Sequence, residues 1–399
     1  ALTAPFFAQW LQDVVDAQRE DGAFSDIAPA PGLGSGTAAW GDAGVIVPWT
    51  MYLCYGDRRI LERSYPAMTR WIEYLKEHSD GLIRPAQGYG DWLSVDADTP
   101  KDVIATAYFA YSTSLVARMA RLLGKDDDAE RYEKLFEEIR KAFHARFVKE
   151  DGRIHGDTQT AYLVALRMNL LDEEGRRLAV HHLAEDVRRR GNRLSTGFVG
   201  CSYLLPELTE GGELDLAYTL LLATHYPSWG YSIQLGATTM WERWDSLKED
   251  GTFQDVGMNS FNHYAYGSVG EWLYRYVAGI EVEPSGAGYK ECVVQPHPHP
   301  RMPWARARYE SLHGPIAVDW RVEGERFALD LEVPANTLAT VYLPTADPGS
   351  VTEGGVAVGE GNHATAAGVE YVGVAERFGR PRAVLRVGSG RYAFTCRYA

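Results

Sequence analysis

Over the first 280 residues apolar positions recur at helical spacing, in segments of roughly 10 to 20 residues separated by Gly, Pro and Asp. The pattern predicts an almost entirely helical region. Its segments include FFAQWLQDVVDAQ, a pair beginning at Asp57 and running past Trp71, DVIATAYFAYSTSLVARMARLLG and DAERYEKLFEEIRKAFHARF. Gly124 closes the third before the fourth opens, which makes those two a helical hairpin. TQTAYLVALRMNLL, EEGRRLAVHHLAEDVRRR, a short segment after Thr196, ELDLAYTLLLATH and FNHYAYGSVGEWLYRYVAG follow, for about eleven helices in all. Helices joined alternately by short and long connections suit a toroid of inner and outer helices, and no fixed-period repeat signature favours an open superhelix. The long connections hold SDIAPAPGLGSGTAAWGDA, RPAQGYGDWLSVDADTP and the run from Tyr226 to His263, all rich in Gly, Trp and acids. A toroid would bring them to one rim.

After Gly279 the texture changes. EVEPSGAGYKECVVQPHPHP reads as a Pro/Gly boundary, and period-two strands follow in RARYESLHGPIAVDWRVEGERFALDLEV and ATVYLPT, then at VAVGEG, VEYVGV and RYAFTCRY. About eight short strands suggest a β-sandwich. The expected division is therefore a helical domain over 1–280 and a β-sandwich over 281–399. The chain has 399 residues, 45% apolar and 24% charged, which excludes disordered and collagen-like classes and leaves ample core. No run is long and apolar enough for a membrane span. With 40 basic and 54 acidic residues the formal net charge is −14, which disfavours nucleic acid and anionic membrane surfaces as partners. Four scattered cysteines, Cys54, Cys201, Cys292 and Cys396, form no CxxC or Cys/His spacing, so reduced thiols and no metal are expected. The first residues read as an amphipathic helix already under way and not as a leader; this leaves the compartment open, with cytoplasm favoured over secretion.

Tryptophan and tyrosine beside carboxylates in loops suit carbohydrate, because sugars offer CH faces for stacking and hydroxyls for charge-assisted hydrogen bonds. With 11 Trp and 23 Tyr, most aromatics must be core. Trp40, Trp92, Trp229 and Trp241 stand out for their Gly- and acid-rich surroundings. Glu242, in MWERW between Trp241 and Trp244, is the candidate general base, and pairing with Arg243 at a helix start is its structural alternative. Asp42 reads equally as a helix N-cap or a site acid. Asp91 in GDWL has no helix directly behind it and so favours a site role. His263 could hydrogen-bond a sugar hydroxyl or serve only structure. HPHP at 297–300 reads as a linker, since alternating prolines splay the imidazoles.

WGDAGVIVPWTMYLCYGD, GDWLSVDADTP followed by IATAYF, GATTMWERWDS and SFNHYAYGSVGEWLYR together resemble the bacterial α-L-rhamnosidases of glycoside hydrolase family 78, over almost the whole chain. The resemblance implies a six-fold α/α barrel, its first helix absent here, followed by a C-terminal β-sandwich. It also implies inverting hydrolysis of terminal α-L-rhamnose from rhamnosides without a cofactor. Glu242 looks like the family's general base, His263 like its sugar-binding histidine, and Trp40 and Trp92 like its rhamnose-pocket tryptophans; Trp241, Asp42 and Asp91 are neighbours carried as contributors. The family's general-acid block, Arg-Asp-Glu-Arg-like and ending in a Gly-Trp-Thr-Gly-Asp-like run, does not occur in these 399 residues. The acid would then come from an upstream segment or a partner polypeptide, or the reaction has been lost. Two alternatives follow: a non-catalytic rhamnoside-binding protein, or an α/α-barrel glycosidase for another sugar with Asp42 or Asp91 as its acid.

Overall fold

A computed structural model describes residues 3–30, 32–358 and 368–398. The chain divides into two compact units, one of Pro5–Trp49 with Arg58–Val269, the other built mainly from Gly270 onward together with Thr50–Asp57.

The helices are α1 (Ala4–Asp16), α2 (Ala43–Tyr55), α3 (Arg58–Glu77), α4 (Lys101–Leu122), α5 (Asp126–Phe147), α6 (Gln159–Arg167), α7 (Glu173–Arg189), α8 (Phe198–Glu210), α9 (Leu214–Leu221) and α10 (Trp229–Gln234), all in the helical unit but for the ends of α1 and α2. A last composite helix, α11, runs as a 3-10 turn Ala265–Ser268, an α-turn Val269–Trp272 and a π-turn Leu273–Ala278. Two sequence expectations need correction. The pair expected from Asp57 is one helix, α3, which tolerates Pro66 inside it. The short α10 lies within a segment expected to be loop; its Ser228 N-cap accepts from the Tyr231 amide.

Burial sorts the helices into two layers. Eight of nine residues of α6 and fifteen of twenty-two of α4 are buried, whereas α5 buries six of twenty-two and α7 five of seventeen, so the former are inner and the latter outer helices. Connections follow the same alternation. Short turns follow α2, α4, α6 and α8, and the long loops 17–42, 78–100, 148–158 and 235–264 lead into α2, α4, α6 and α11. Trp40, Asp42, Asp91, Trp92, Trp241, Glu242 and His263 all lie on these long loops, whereas Trp229, also singled out, is the buried first residue of α10.

The β unit contains two sheets, one ordered β1-β2-β6-β10-β9 and the other β3-β4-β5-β11-β7-β8. Their strands are β1 (Ile280–Val282), β2 (Glu291–Val294), β3 (Trp304–Ser311), β4 (Gly314–Glu323), β5 (Arg326–Val333), β6 (Leu338–Leu343), β7 (Thr352–Glu353), β8 (Val356–Ala357), β9 (Val369–Arg377), β10 (Arg380–Val387) and β11 (Gly390–Arg397). The expected strand at VAVGEG is in part β8 and in part outside the described residues. The segment read as a boundary holds two strands, with β2 paired in parallel to β6. Strand β10 escaped notice because Arg382, Ala383, Val384 and Leu385 are buried in succession, which erases the period of two. HPHP is no exposed linker: His297 and His299 are buried.

One contact fixes the loop that enters α4. The N-cap of α8 is Gly197, which has no side chain to offer. The Asp91 carboxylate takes that place, Oδ2 accepting from the Gly197 amide at 2.8 Å and Oδ1 from the Val199 and Gly200 amides at 2.8 and 3.1 Å, with the Thr160 hydroxyl as fourth donor. A Cβ on Gly197 would stand 2.1 Å from the Trp92 carbonyl oxygen, so only glycine lets the two backbones approach. Asp91→Ala strands three amides and a hydroxyl in the core and should cost about 3 kcal/mol or more. The expected result in a urea melt followed by tryptophan fluorescence is a lower midpoint for the helical unit, and an unchanged midpoint would remove Asp91 from this role.

Candidate active site

Asp42 precedes α2 and is sealed in the core. Its Oδ1 accepts from Trp71 Nε1 at 3.0 Å and the Ser112 hydroxyl at 2.6 Å, and its Oδ2 from the Ala39 amide at 2.8 Å. Burial pushes both the Asp42 and Asp91 carboxyls above their ordinary range, against the pull of their hydrogen bonds. Neither side chain is open to a ligand, since Asp42 is 1% and Asp91 6% exposed.

What these two carboxylates hold in place is aromatic. Trp40, two residues before Asp42, packs on Tyr89 with ring centroids 4.8 Å apart, and Tyr89 meets Trp92 edge-on at 6.0 Å. Tyr89 donates its hydroxyl to Asp26 Oδ2 at 3.1 Å, while Asp26 also takes the Thr37 amide and hydroxyl. Burial, and then Asp26, raise the Tyr89 phenol, which keeps it a donor at neutral pH. The result is a half-exposed wall of three rings, Trp40–Tyr89–Trp92, braced from behind by Asp26, Asp42 and Asp91. Tyr89 and Asp26 were not among the residues singled out from sequence. Tyr89 stands between Gly88 and Gly90, both at positive φ, and that Gly-Tyr-Gly run directly before Asp91 was the available signal.

Phe198 joins this wall to the next loop. Its amide donates to the Trp92 carbonyl at 2.9 Å, and its ring lies 4.9 Å from the His263 imidazole. Tyr266 adds a second tie, donating its hydroxyl to the Leu93 carbonyl at 3.2 Å and stacking on Trp244 at 3.9 Å. Trp244 is thereby core, buried also against Trp229 and donating to the Thr196 carbonyl, and it does not flank Glu242 in a pocket as the sequence suggested.

Glu242 and His263 stand on the two arms of one looped segment. The Glu242 amide donates to the Ser260 carbonyl at 2.8 Å, the Ser260 amide returns to Glu242 Oε2 at 2.7 Å, and the His263 amide donates to the Met240 carbonyl at 2.8 Å. Glu242 is half-buried, and its Oε1 has no hydrogen-bond partner among the described residues. The Arg243 pairing is not made: that guanidinium donates from Nε to the Met258 carbonyl at 2.9 Å. At His263 the Ala265 amide donates to Nδ1 at 3.3 Å, which makes Nδ1 the acceptor and assigns the ring N–H to Nε2. Trp241 turns inward, 6% exposed and edge-on to Phe261 at 5.2 Å. Among the described residues no three His, Cys, Asp or Glu side chains gather as metal ligands.

A half-exposed aromatic wall, a carboxylate with one oxygen anchored and one open, and an imidazole N–H on the same loop can hold a sugar ring and draw a proton from water. The model of the bacterial α-L-rhamnosidase six-hairpin glycosidase domain matches residues 2–277, and that of the bacterial α-L-rhamnosidase C-terminal domain matches 279–357. An α-L-rhamnosidase of Streptomyces avermitilis is 50% identical over 394 residues, 98% of this chain and 36% of the relative. One of Formosa agariphila is 39% identical over 350 residues, 85% of this chain and 38% of the relative. The crystal structure of the Streptomyces avermitilis enzyme complexed with L-rhamnose superposes with a TM-score of 0.92 at 49% identity, over 99% of this chain and 36% of that one. The α-L-rhamnosidase of Dictyoglumus thermophilum gives 0.89 at 31% identity, over 99% and 44%. This chain thus spans a little over a third of the length of these curated relatives. Matched by family models from residue 2 to residue 357, it belongs to the bacterial α-L-rhamnosidase family.

Proposed function

We propose that this chain forms the sugar pocket and the base side of an enzyme that hydrolyses terminal, non-reducing α-L-rhamnose from rhamnosides with inversion. The observation that carries the proposal is Glu242, whose Oε2 is fixed by the Ser260 amide while Oε1 stays open beside a loop that also presents His263. In this reading Oε1 takes a proton from water as the water oxygen attacks the anomeric carbon, and the glycosidic C–O bond breaks with its electron pair leaving on the aglycone oxygen. Trp40 and Trp92 stack on the sugar, Tyr89 stiffens the pair, and His263 donates from Nε2 to a hydroxyl. Trp241 supports the Glu242 loop through Phe261. Asp42 and Asp91 shape the pocket from behind.

The leaving oxygen needs a proton from a second carboxyl, about 6.5–9.5 Å from the first for inversion. Asp42 and Asp91 are poor donors for that step, being sealed with both oxygens engaged. This supports an acid supplied from outside these 399 residues, in keeping with relatives of which this chain covers 36–38%. A relative's complex with L-rhamnose supports the sugar named here.

Three outcomes are expected with p-nitrophenyl α-L-rhamnoside, assayed in this chain and in a protein extended at its amino end. Glu242→Gln should lower kcat by about 10²–10⁴ with little change in KM; a variant keeping more than a tenth of kcat would sink the assignment. Proton NMR of the first turnovers should show the β anomer of rhamnose before mutarotation, and release of the α anomer would replace inversion with retention. Trp92→Ala should raise KM by about 2- to 12-fold, the loss of one ring contact of roughly 0.5–1.5 kcal/mol, while Glu242→Gln still binds L-rhamnose by calorimetry. Binding without turnover in both proteins would instead identify a rhamnoside-binding protein.

A further inference from the structure

A cleft of about 430 Å³ in the helical unit is lined by Tyr226, Tyr231, Asp245, Lys248, Glu249 and Asp250. Its floor is aromatic. The Tyr226 and Tyr231 rings meet edge-on at 5.6 Å, and Tyr231, in the first turn of α10, is fixed by its hydroxyl on the Leu247 carbonyl at 3.1 Å. The mouth is a tight turn: the Lys248 amide donates to the Thr252 carbonyl and the Gly251 amide to the Lys248 carbonyl, both at 2.9 Å, which puts Glu249 and Asp250 at the tip. Two strands of the chain tie the cleft to the candidate site. Asp245 follows Glu242 by three residues, a span of at most about 11 Å. On the other side the Asp96 charge, on the loop that carries Trp92, acts on the Tyr226 phenol, and Tyr226 in turn acts on Tyr266, whose hydroxyl is bonded to the Leu93 carbonyl.

The polar groups around this floor are left open. Among the described residues the Tyr226 hydroxyl, the Lys248 ammonium and the Glu249 carboxylate have no hydrogen-bond partner, and Asp245 gives Oδ2 to Gln254 Nε2 while Oδ1 stays free. Burial, and then Asp245 and Asp96, push the Tyr226 phenol up to about 12, so it is a donor at neutral pH. Two donors and two acceptors over an aromatic floor match a ring with a CH face and hydroxyls, each of which can both give and take a hydrogen bond. The volume lies within the roughly 300–1,000 Å³ of small-molecule sites. Charge narrows the choice further. Asp96, Asp245, Glu249 and Asp250 outnumber Lys248 and Arg243, which disfavours an anion, and among the described residues no acids gather as metal ligands. We infer that this cleft binds an uncharged sugar residue, the one that carries the terminal rhamnose of the substrate. The inference rests on the reading of Glu242 and the aromatic wall as a rhamnose pocket, and adds to it a substrate class: rhamnosides in which the rhamnose is joined to a neutral sugar.

The test is calorimetric titration of the intact chain carrying Glu242→Gln, which prevents turnover. The ligands are L-rhamnose, p-nitrophenyl α-L-rhamnoside, α-L-rhamnose on O4 of glucose, and the glucuronate analogue of that disaccharide, which differs from it only at C6. The glucose disaccharide is expected to bind tighter than L-rhamnose by about tenfold or more, with the nitrophenyl and glucuronate compounds well short of it. Tyr226→Phe keeps the ring and loses the hydroxyl, and Lys248→Ala changes only the turn. Each should cut the disaccharide's advantage by about 2- to 12-fold and leave L-rhamnose binding as it was, so either variant serves should the other fail to fold. No advantage of the disaccharide, or one untouched by both variants, would overturn the cleft. A glucuronate compound bound as tightly as the glucose one would overturn the uncharged ligand, and an equal gain by the nitrophenyl compound would overturn the sugar. Disaccharide binding that weakens in Tyr226→Phe, with no binding of L-rhamnose, would keep the cleft and remove the rhamnose pocket; no binding of any ligand would remove both.

Discussion

The Asp91 carboxylate on the first turn of α8 is the contact on which the candidate site depends. A helix beginning at Gly197 has orphan amides and no side-chain cap, and three of those amides, with the Thr160 hydroxyl, converge on one acid that arrives from more than a hundred residues earlier. Because the acid is part of the loop, capping the helix also sets the loop: Ser94 turns back onto the Asp91 carbonyl, Val95 pairs with Ser195, and Phe198 pairs with Trp92. Trp92 and, through Phe198, His263 take their positions from the same few bonds. A cap worth about 1–2 kcal/mol in an ordinary helix is here also the register mark between two loops.

The loop acids differ in what is left over once their partners are counted. Asp26, Asp42 and Asp91 each spend both oxygens on donors from their own surroundings. Glu242 spends one, on the Ser260 amide. A buried carboxylate whose lone pairs are all taken stiffens the backbone around it but has nothing to offer water, whereas an anchored carboxylate with an open oxygen is held in place and still basic. The proposed division between wall-building acids and a proton-transferring Glu242 rests on this hydrogen-bond counting, with no appeal to how acidic the loops are as a whole.

That counting also explains what could be read from the chain beforehand. The helical first part, the alternation of short and long connections and the later change to strands are local properties of period and punctuation and are legible, whereas the individual helices are less so, since the pair expected from Asp57 is one helix and α10 was expected to be loop. Tryptophan beside glycine and acid is a local cue that names Trp40 and Trp92, which the wall brings together, but it names Trp229 and Trp241 equally, which are buried, and it passes over Tyr89. The role of Asp91 was not legible: in sequence it has no helix behind it, and the helix it caps follows it by more than a hundred residues. Trp244 misled for a related reason, since a loop position said nothing of the Tyr266 and Trp229 rings that bury it. Strand β10 failed the period test because it is buried along four consecutive residues, and β2 because its parallel partner β6 begins more than forty residues later.

The same accounting applied to cations reaches the β unit. Across the surface the arginines mostly meet acids, as in the exposed pairs Arg121–Glu133 and Arg177–Glu174, and such pairs contribute little because water already satisfies both partners. Arg382 is sealed from solvent, and among the described residues its guanidinium bonds to the Pro296 carbonyl and His297 Nδ1, neither of them an acid. A guanidinium carries five N–H donors, and leaving Nε unmade inside a core costs more than any surface pair returns. What the guanidinium does make are two bonds, to the Pro296 carbonyl and to His297 Nδ1, so the arginine ties the segment before β3 to β10 from inside the core, and the cost of its unmade Nε is set against that tie.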